Sequence, residues 1–362
     1  MDSLERTTLA LNHEEPDRVP LDYWSSSGFD GKLQAARGLS REAFLDRNDV
    51  DLRYIAGPRY IGPPLRTLPG GVSEDIWGVH RTLAQVGTAM GSESYQEVSY
   101  SPLASAADVE AVLGYDHWPS PDWFDYSDLE AQCRRIRDKR RVVVFMGDRL
   151  NRLAQLKPAM YLRGVEQILL DMAAAPEVAH AIFGNISAFY LAYAERIFES
   201  AHGKIDLLLT GDDFGSQNGP LVSPRMWAQF LGRGFAAYIE LGKSYGVRVM
   251  HHTCGAVRPI IPLMMERGLD VLQSLQPEAA GMDPSGLKAQ FGERLSFHGG
   301  VSIQQTLPFG TPDDVRREVK ERIAALAGGG GYVLCTAHNV QADVPVANVE
   351  ALFEAHRAYG RY

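Results

Sequence analysis

Eight short apolar runs, separated by stretches that read as helix, set the tightest limit on what this chain folds into. They start near Pro20, Asp51, Arg141, Ile205, Arg248, Val271, Leu295 and Tyr332. Helical patterns cover 129–139, 164–202, 224–245, 257–267, 286–291, 312–327 and 345–359. Strands alternating with helices of this length predict a parallel sheet. Eight of them predict a closed (β/α)8 TIM barrel, a single domain over residues 1–362. Only 57–123 breaks the rhythm, where glycine, proline and short alternating runs such as WGVHRTL and YQEVSY predict an inserted, hairpin-bearing segment after the second strand. An excursion that long beside an active face is expected to be a lid or binding loop, with a packing role as the alternative.

The fifth run ends in RVMHHTCG, residues 248–255. Side chains alternate along a strand, so His252 and Cys254 share a face while His251 and Thr253 point the other way. The eighth run carries Cys335 near its end, in GYVLCTAHN. His252, Cys254 and Cys335 together make a one-nitrogen, two-sulfur set that suits Zn2+ better than any hard cation. The plainer reading is a buried thiol beside a satisfied core histidine. Cys133 lies on a charged helical pattern and is expected to be incidental.

Sites in a barrel of this kind lie on the loops that follow the strands. Unusual residues gather there: Asp212, Asp213, Gln217 and Asn218 after the fourth strand, His298 at the seventh, and His338, Asn339 and Gln341 after the eighth. Asp212, Asp213 and His338 are the candidate catalytic residues. Tyr23, Trp24, Gln217, His298, Asn339 and Gln341 are candidates for substrate binding, with Tyr23, Trp24, Trp77 and Trp123 suited to an aromatic pocket or simply to packing. Turn capping and loop hydrogen bonding are the bland alternatives for the polar residues.

Several function classes have no support. A net charge of −9 argues against a nucleic-acid partner. No apolar stretch is long enough to span a bilayer, and the charged start MDSLERTTLALNHEE does not read as a signal peptide. Three widely spaced cysteines form no disulfide framework, so a reducing, cytoplasmic setting is expected. There is no GxGxxG after a strand and no GxSxG, HExxH or Walker pattern, and Gly328–Gly331 precede a strand instead of opening a helix.

The opening RTTLALNHEEPDRVP (with Arg6, Ala10, Leu11, His13, Pro16, Asp17, Arg18 and Pro20), the loop GDDFGSQNGPLVSP, HTCG, FHGGVS, GGGGYVLCTAHN and DVPVANVEAL resemble the uroporphyrinogen decarboxylase superfamily over essentially the whole chain. True uroporphyrinogen decarboxylases use no metal and carry an arginine-rich RQAGRY after the first strand. That place here reads LDYWSSSGFDGK, without arginine, which counts against porphyrinogen decarboxylation. The other branch comprises zinc methyltransferases that move methyl groups between a corrinoid protein and a thiol, or from methoxylated and other methylated molecules to the corrinoid. Its HxC plus last-strand cysteine is matched by His252, Cys254 and Cys335. The resemblance therefore implies Zn2+ on these three residues with a fourth position open, a corrinoid carried by a separate protein, a small-molecule methyl donor or thiol acceptor, and a homodimer. Asp212 or Asp213 would supply a displaceable ligand or proton acceptor, and His338 a hydrogen bond. A metal-free decarboxylase or lyase of a small carboxylated substrate, using Asp212, Asp213 and His338, is the alternative. A binding protein with a structural zinc is the third reading.

Overall fold

Continuous apolar runs such as VVVF and LLLT are what a strand buried on both faces requires, and in the computed structural model they form one parallel sheet. The structure describes residues 1–88, 91–147 and 152–362. Seven strands, β1 (Leu52–Ile55), β2 (Val142–Phe145), β3 (Leu207–Gly211), β4 (Arg248–His252), β5 (Val271–Leu275), β6 (Ser296–Val301) and β7 (Tyr332–Thr336), pair in chain order, each parallel to the next. The sheet curls, so alternate residues meet at its centre. Leu52, Val142, Val144, Leu207, Leu209, Met250, Val271, Val333 and Cys335 form one inner cluster. Their neighbours Val143, Phe145, Leu208, Val249, Leu272, Phe297, Tyr332 and Leu334 pack outward against the helices. That period of two places Met250 and His252 on the inner face and His251 on the outer one.

The expected first strand, near Pro20, takes a looser form. Residues 20–26 lie beside β7, with isolated parallel bridges Leu21–Leu334 and Ser25–Val340. The Leu334 N–H donates to Pro20 O at 2.9 Å, and on the other side the Asp51 N–H donates to Leu21 O at 2.8 Å. Proline offers no N–H, and Ser26 already caps the helix Ser27–Arg37 by accepting from the Phe29 N–H at 3.2 Å. Ladder pairing is therefore interrupted at one end and cut short at the other.

Between β1 and β2 the chain leaves the sheet. Strands Thr67–Leu68, Val72–Glu74, His80–Thr88 and Gly91–Tyr100 form an antiparallel four-stranded sheet, and Arg59–Tyr60 pairs with Phe124–Asp125. Among the described residues no helix is long and apolar enough to cross a membrane.

Candidate metal centre and cavity

His252 closes β4 on the inner face and is 1% exposed. Its Nδ1 lies 2.5 Å from Gln273 Oε1 on β5. An amide oxygen can only accept, so Nδ1 carries the proton and Nε2 keeps a free lone pair. That lone pair faces Cys254 Sγ at 3.5 Å. Three residues beyond the strand, the chain turns at Gly255, with φ at +84° and no room for a Cβ, which would lie 2.5 Å from the Gly215 carbonyl carbon. The Gly255 N–H is tied to Gln276 Oε1 at 2.9 Å. Glycine is thus needed here for both conformation and close approach.

His338, on the loop after β7, completes the group. The ligating atoms of His252, Cys254 and His338 all lie within 4.8 Å of one another. A tetrahedral Zn2+ with bonds of about 2.05 Å to nitrogen and 2.3 Å to sulfur separates those two atoms by about 3.5 Å, which is the His252–Cys254 spacing found. Borderline-soft N, S, N donors and a histidine whose other nitrogen is anchored are what zinc selects. These residues therefore fit the metal.

Cys335 is placed elsewhere. It is 1% exposed on the inner face of β7 and falls in a second group with Asp22 and His298. In that group His298 Nε2 donates to Asp22 Oδ2 at 2.8 Å. This is a hydrogen-bond distance, short of the roughly 3.3 Å that two ligands on one tetrahedral zinc would keep. The expected set of His252, Cys254 and Cys335 is thus not gathered within one ligating sphere, and His338 stands where Cys335 was expected.

The two aspartates differ in what they do. Asp212 is 2% exposed, and its carboxylate accepts from the N–H groups of Gln155 (2.6 Å), Leu156 (2.8 Å) and Lys157 (2.7 Å), holding the start of the helix Leu156–Arg163. Burial pushes its carboxyl up to about 6, against the pull of those three donors. Asp213 borders the metal group: Oδ1 accepts from the Cys254 N–H at 3.2 Å and lies 3.5 Å from His252 Nε2, while Oδ2 pairs with Lys157 Nζ at 2.5 Å. Burial opposes its charge, but the adjacent His252 and Lys157 hold its carboxyl well below the usual range. Burial also holds His252 itself well below its ordinary value and hence neutral, so the lysine is the lasting source of that stabilisation. The Cys254 thiol is pushed up to about 12 by burial and then by Asp213, and burial lowers His338 to about 4.

A cavity of about 420 Å³ opens onto His252 and His338. Its walls are Trp24, Trp77, Tyr95, Tyr161 and Tyr190, with Arg152, Lys157 and Asn339 as the polar groups. Trp77 and Tyr95 come from the excursion between β1 and β2. A second cavity of about 340 Å³ is lined by Cys254, His338, Gln276 and Gln217, and Gln217 Nε2 donates to Gln304 Oε1 at 3.2 Å.

Of the residues singled out in the sequence, Trp24, Trp77, His252, His338 and Asn339 line the first cavity and Gln217, Cys254 and His338 the second. Tyr23, His298, Gln341 and Trp123 line neither. Tyr23 packs outward between Phe44 and Phe353, at 5.6 Å from each ring, and Trp123 packs against Tyr60. Sequence reasoning passed over Arg152, Lys157 and Gln273. The first two follow β2, where the rule that barrel sites follow strands already pointed, and Gln273 is a polar residue in an otherwise apolar buried strand.

Residues 154–359 match the family described as Uroporphyrinogen decarboxylase (URO-D). No curated protein matches the sequence. Among solved structures, a methyltransferase from Methanosarcina mazei is similar over 99% of both chains, at 20% identity and a TM-score of 0.69. A 3-keto-D-glucoside 4-epimerase from E. coli shares 11% identity over 64% of this chain and 94% of its own, at a TM-score of 0.37. A D-psicose 3-epimerase shares 11% over 70% of this chain and 84% of its own, also at 0.37.

Proposed function

This chain belongs to the uroporphyrinogen decarboxylase family, and on that premise we propose that it is a zinc-dependent methyltransferase. It moves a methyl group between a corrinoid held by a separate protein and a thiol or a methoxylated or methylated small molecule. The observation that carries this reading is the grouping of His252, Cys254 and His338, with Nδ1 of His252 anchored on Gln273.

Zn2+ held by these three residues would favour loss of the proton from a thiol or of the methyl group from an ether oxygen. The chain's own residues supply the rest. Asp213 holds the Cys254 backbone in place and keeps Lys157 charged at the cavity wall, since its attraction outweighs the effect of burial on the amine. Lys157 Nζ can then give a proton to an oxygen that departs without its methyl group. The aromatic walls favour a flat ring, and Arg152 with Lys157 favours an anionic substituent on it. The inserted, hairpin-bearing segment acts as a lid that brings Trp77 and Tyr95 over the cavity and excludes water.

Those same two cations favour a second reading, a metal-free decarboxylase or lyase that binds a small carboxylate. Metal content by mass spectrometry separates the two. The methyltransferase reading expects about one zinc per chain, lost in Cys254→Ser and His338→Ala and kept in Cys335→Ser. No zinc in the wild type under conditions that retain labile metal would leave the decarboxylase. Zinc lost in Cys335→Ser and kept in His338→Ala would return the site to the set read from sequence.

A further inference from the structure

Trp24 touches both halves of the site. It stacks on His252 with centroids 5.8 Å apart and planes at 28°, meets His338 edge-on at 6.5 Å, and lies under the Arg152 guanidinium at 5.7 Å. Its orientation is fixed from behind by a chain that never reaches the cavity. Trp24 Nε1 donates to Tyr54 Oη at 2.7 Å, Tyr54 Oη donates to Asp22 Oδ2 at 2.6 Å, and His298 Nε2 donates to the same oxygen at 2.8 Å. Asp22 Oδ1 accepts from the Tyr23 N–H at 2.7 Å.

The direction of the first two hydrogen bonds follows from the groups themselves. An indole N–H can only donate, so the tyrosine must accept from it and pass its own hydrogen on to a carboxylate. His298 Nδ1 is buried without a hydrogen-bond partner among the described residues. The arrangement also carries a cost. Asp22 is 1% exposed and His298 fully buried, beside an inner cluster of apolar side chains. Well-packed apolar residues would be as stable there or more so. Orientation, not stability, is what such a group supplies.

We propose that Asp22, Tyr54 and His298 are positioning residues, an internal brace that sets the plane of Trp24 against His252 and thereby shapes the wall between metal group and cavity. Only the effect on the metal rests on the function proposed above; the orientation of Trp24 does not.

The test is Tyr54→Phe, which keeps the ring and removes the hydroxyl. Near-ultraviolet circular dichroism of the full chain is recorded for wild type, Tyr54→Phe, Trp24→Phe and the double variant. The Trp24 contribution, defined by the Trp24→Phe difference, should be largely lost in Tyr54→Phe, and the double variant should match Trp24→Phe alone. Cobalt(II)-loaded Tyr54→Phe should show a shifted visible absorption band at unchanged metal stoichiometry, a change that mere destabilisation would not produce. A Trp24 signal unaltered in Tyr54→Phe overturns the brace. If that variant does not fold, Asp22→Asn, whose single amide oxygen cannot serve both Tyr54 and Tyr23, is judged by the same criterion. A wild type that binds no metal sinks the zinc reading while the dichroism comparison still decides the brace.

Discussion

Metal-ligating histidines almost always have their second nitrogen held, and Gln273 holds Nδ1 of His252 in that way. The amide oxygen fixes the tautomer and the ring plane together. Gln273 is fully buried and its own Nε2 has no partner among the described residues, a cost that a purely structural glutamine would not carry. Gln273→Met, similar in length and without an acceptor, should weaken zinc binding roughly tenfold to a hundredfold with little change in thermal stability. Competition against a chromophoric chelator measures this. Wild-type affinity in the variant would mean that packing alone orients the ring. His252 and Cys254 were legible from their spacing, because a period of two fixes the face of a residue at a strand end. Cys335 marks the limit of that reasoning. The same period does place it on the inner face, but its thiol groups with Asp22 and His298 and not with His252 and Cys254. Alternation reports which side a residue faces and says nothing about its height along the barrel axis.

At the scale of elements, the loops that follow β2, β3, β4 and β7 build the site, each for a different local reason. The helix Leu156–Arg163 has no side-chain cap of its own, and Asp212 from the loop after β3 serves instead. This contact places Lys157 against Asp213. Asp212→Ala would leave three backbone N–H groups without an acceptor. It should destabilise the fold by about 3 kcal/mol in urea unfolding while zinc stoichiometry stays at the wild-type level. Loss of zinc at unchanged stability would instead make Asp212 a ligand. The strand–helix rhythm was legible because buried parallel strands are continuous apolar runs, and seven of the eight expected strands are present as such. The pocket walls were harder to read. Tyr95, Tyr161 and Tyr190 lie far apart in sequence and converge only through tertiary packing. Gln341, polar and on the right loop, was expected to bind substrate and lines neither cavity.

For the whole molecule the question is how the curled sheet is closed with a stave that is barely a strand. The answer lies in the last helix, Val346–Tyr359. The Val19 N–H donates to Gly360 O at 2.7 Å, and His356 Nε2 donates back to Val19 O at 2.8 Å. The last helix and its C-cap thus clamp the segment that carries Asp22 and Trp24. His356 is 4% exposed, and burial lowers it from 6.5 to about 4, despite the hydrogen bond to Val19, which favours the charged form. The sign follows. The unfolded chain takes up a proton near 6.5 while the folded one resists until about 4, so the stability from the neutral imidazole is complete above 6.5 and is lost as pH falls through that window. Between pH 7 and pH 5 this one residue accounts for about 2 kcal/mol. His356→Gln, which keeps a donor for Val19 O, should therefore lose less stability than wild type over that interval, by about that amount. Chemical denaturation of both proteins at the two pH values measures the difference. Equal losses would show that the clamp does not titrate and that acid sensitivity has its source elsewhere in the barrel.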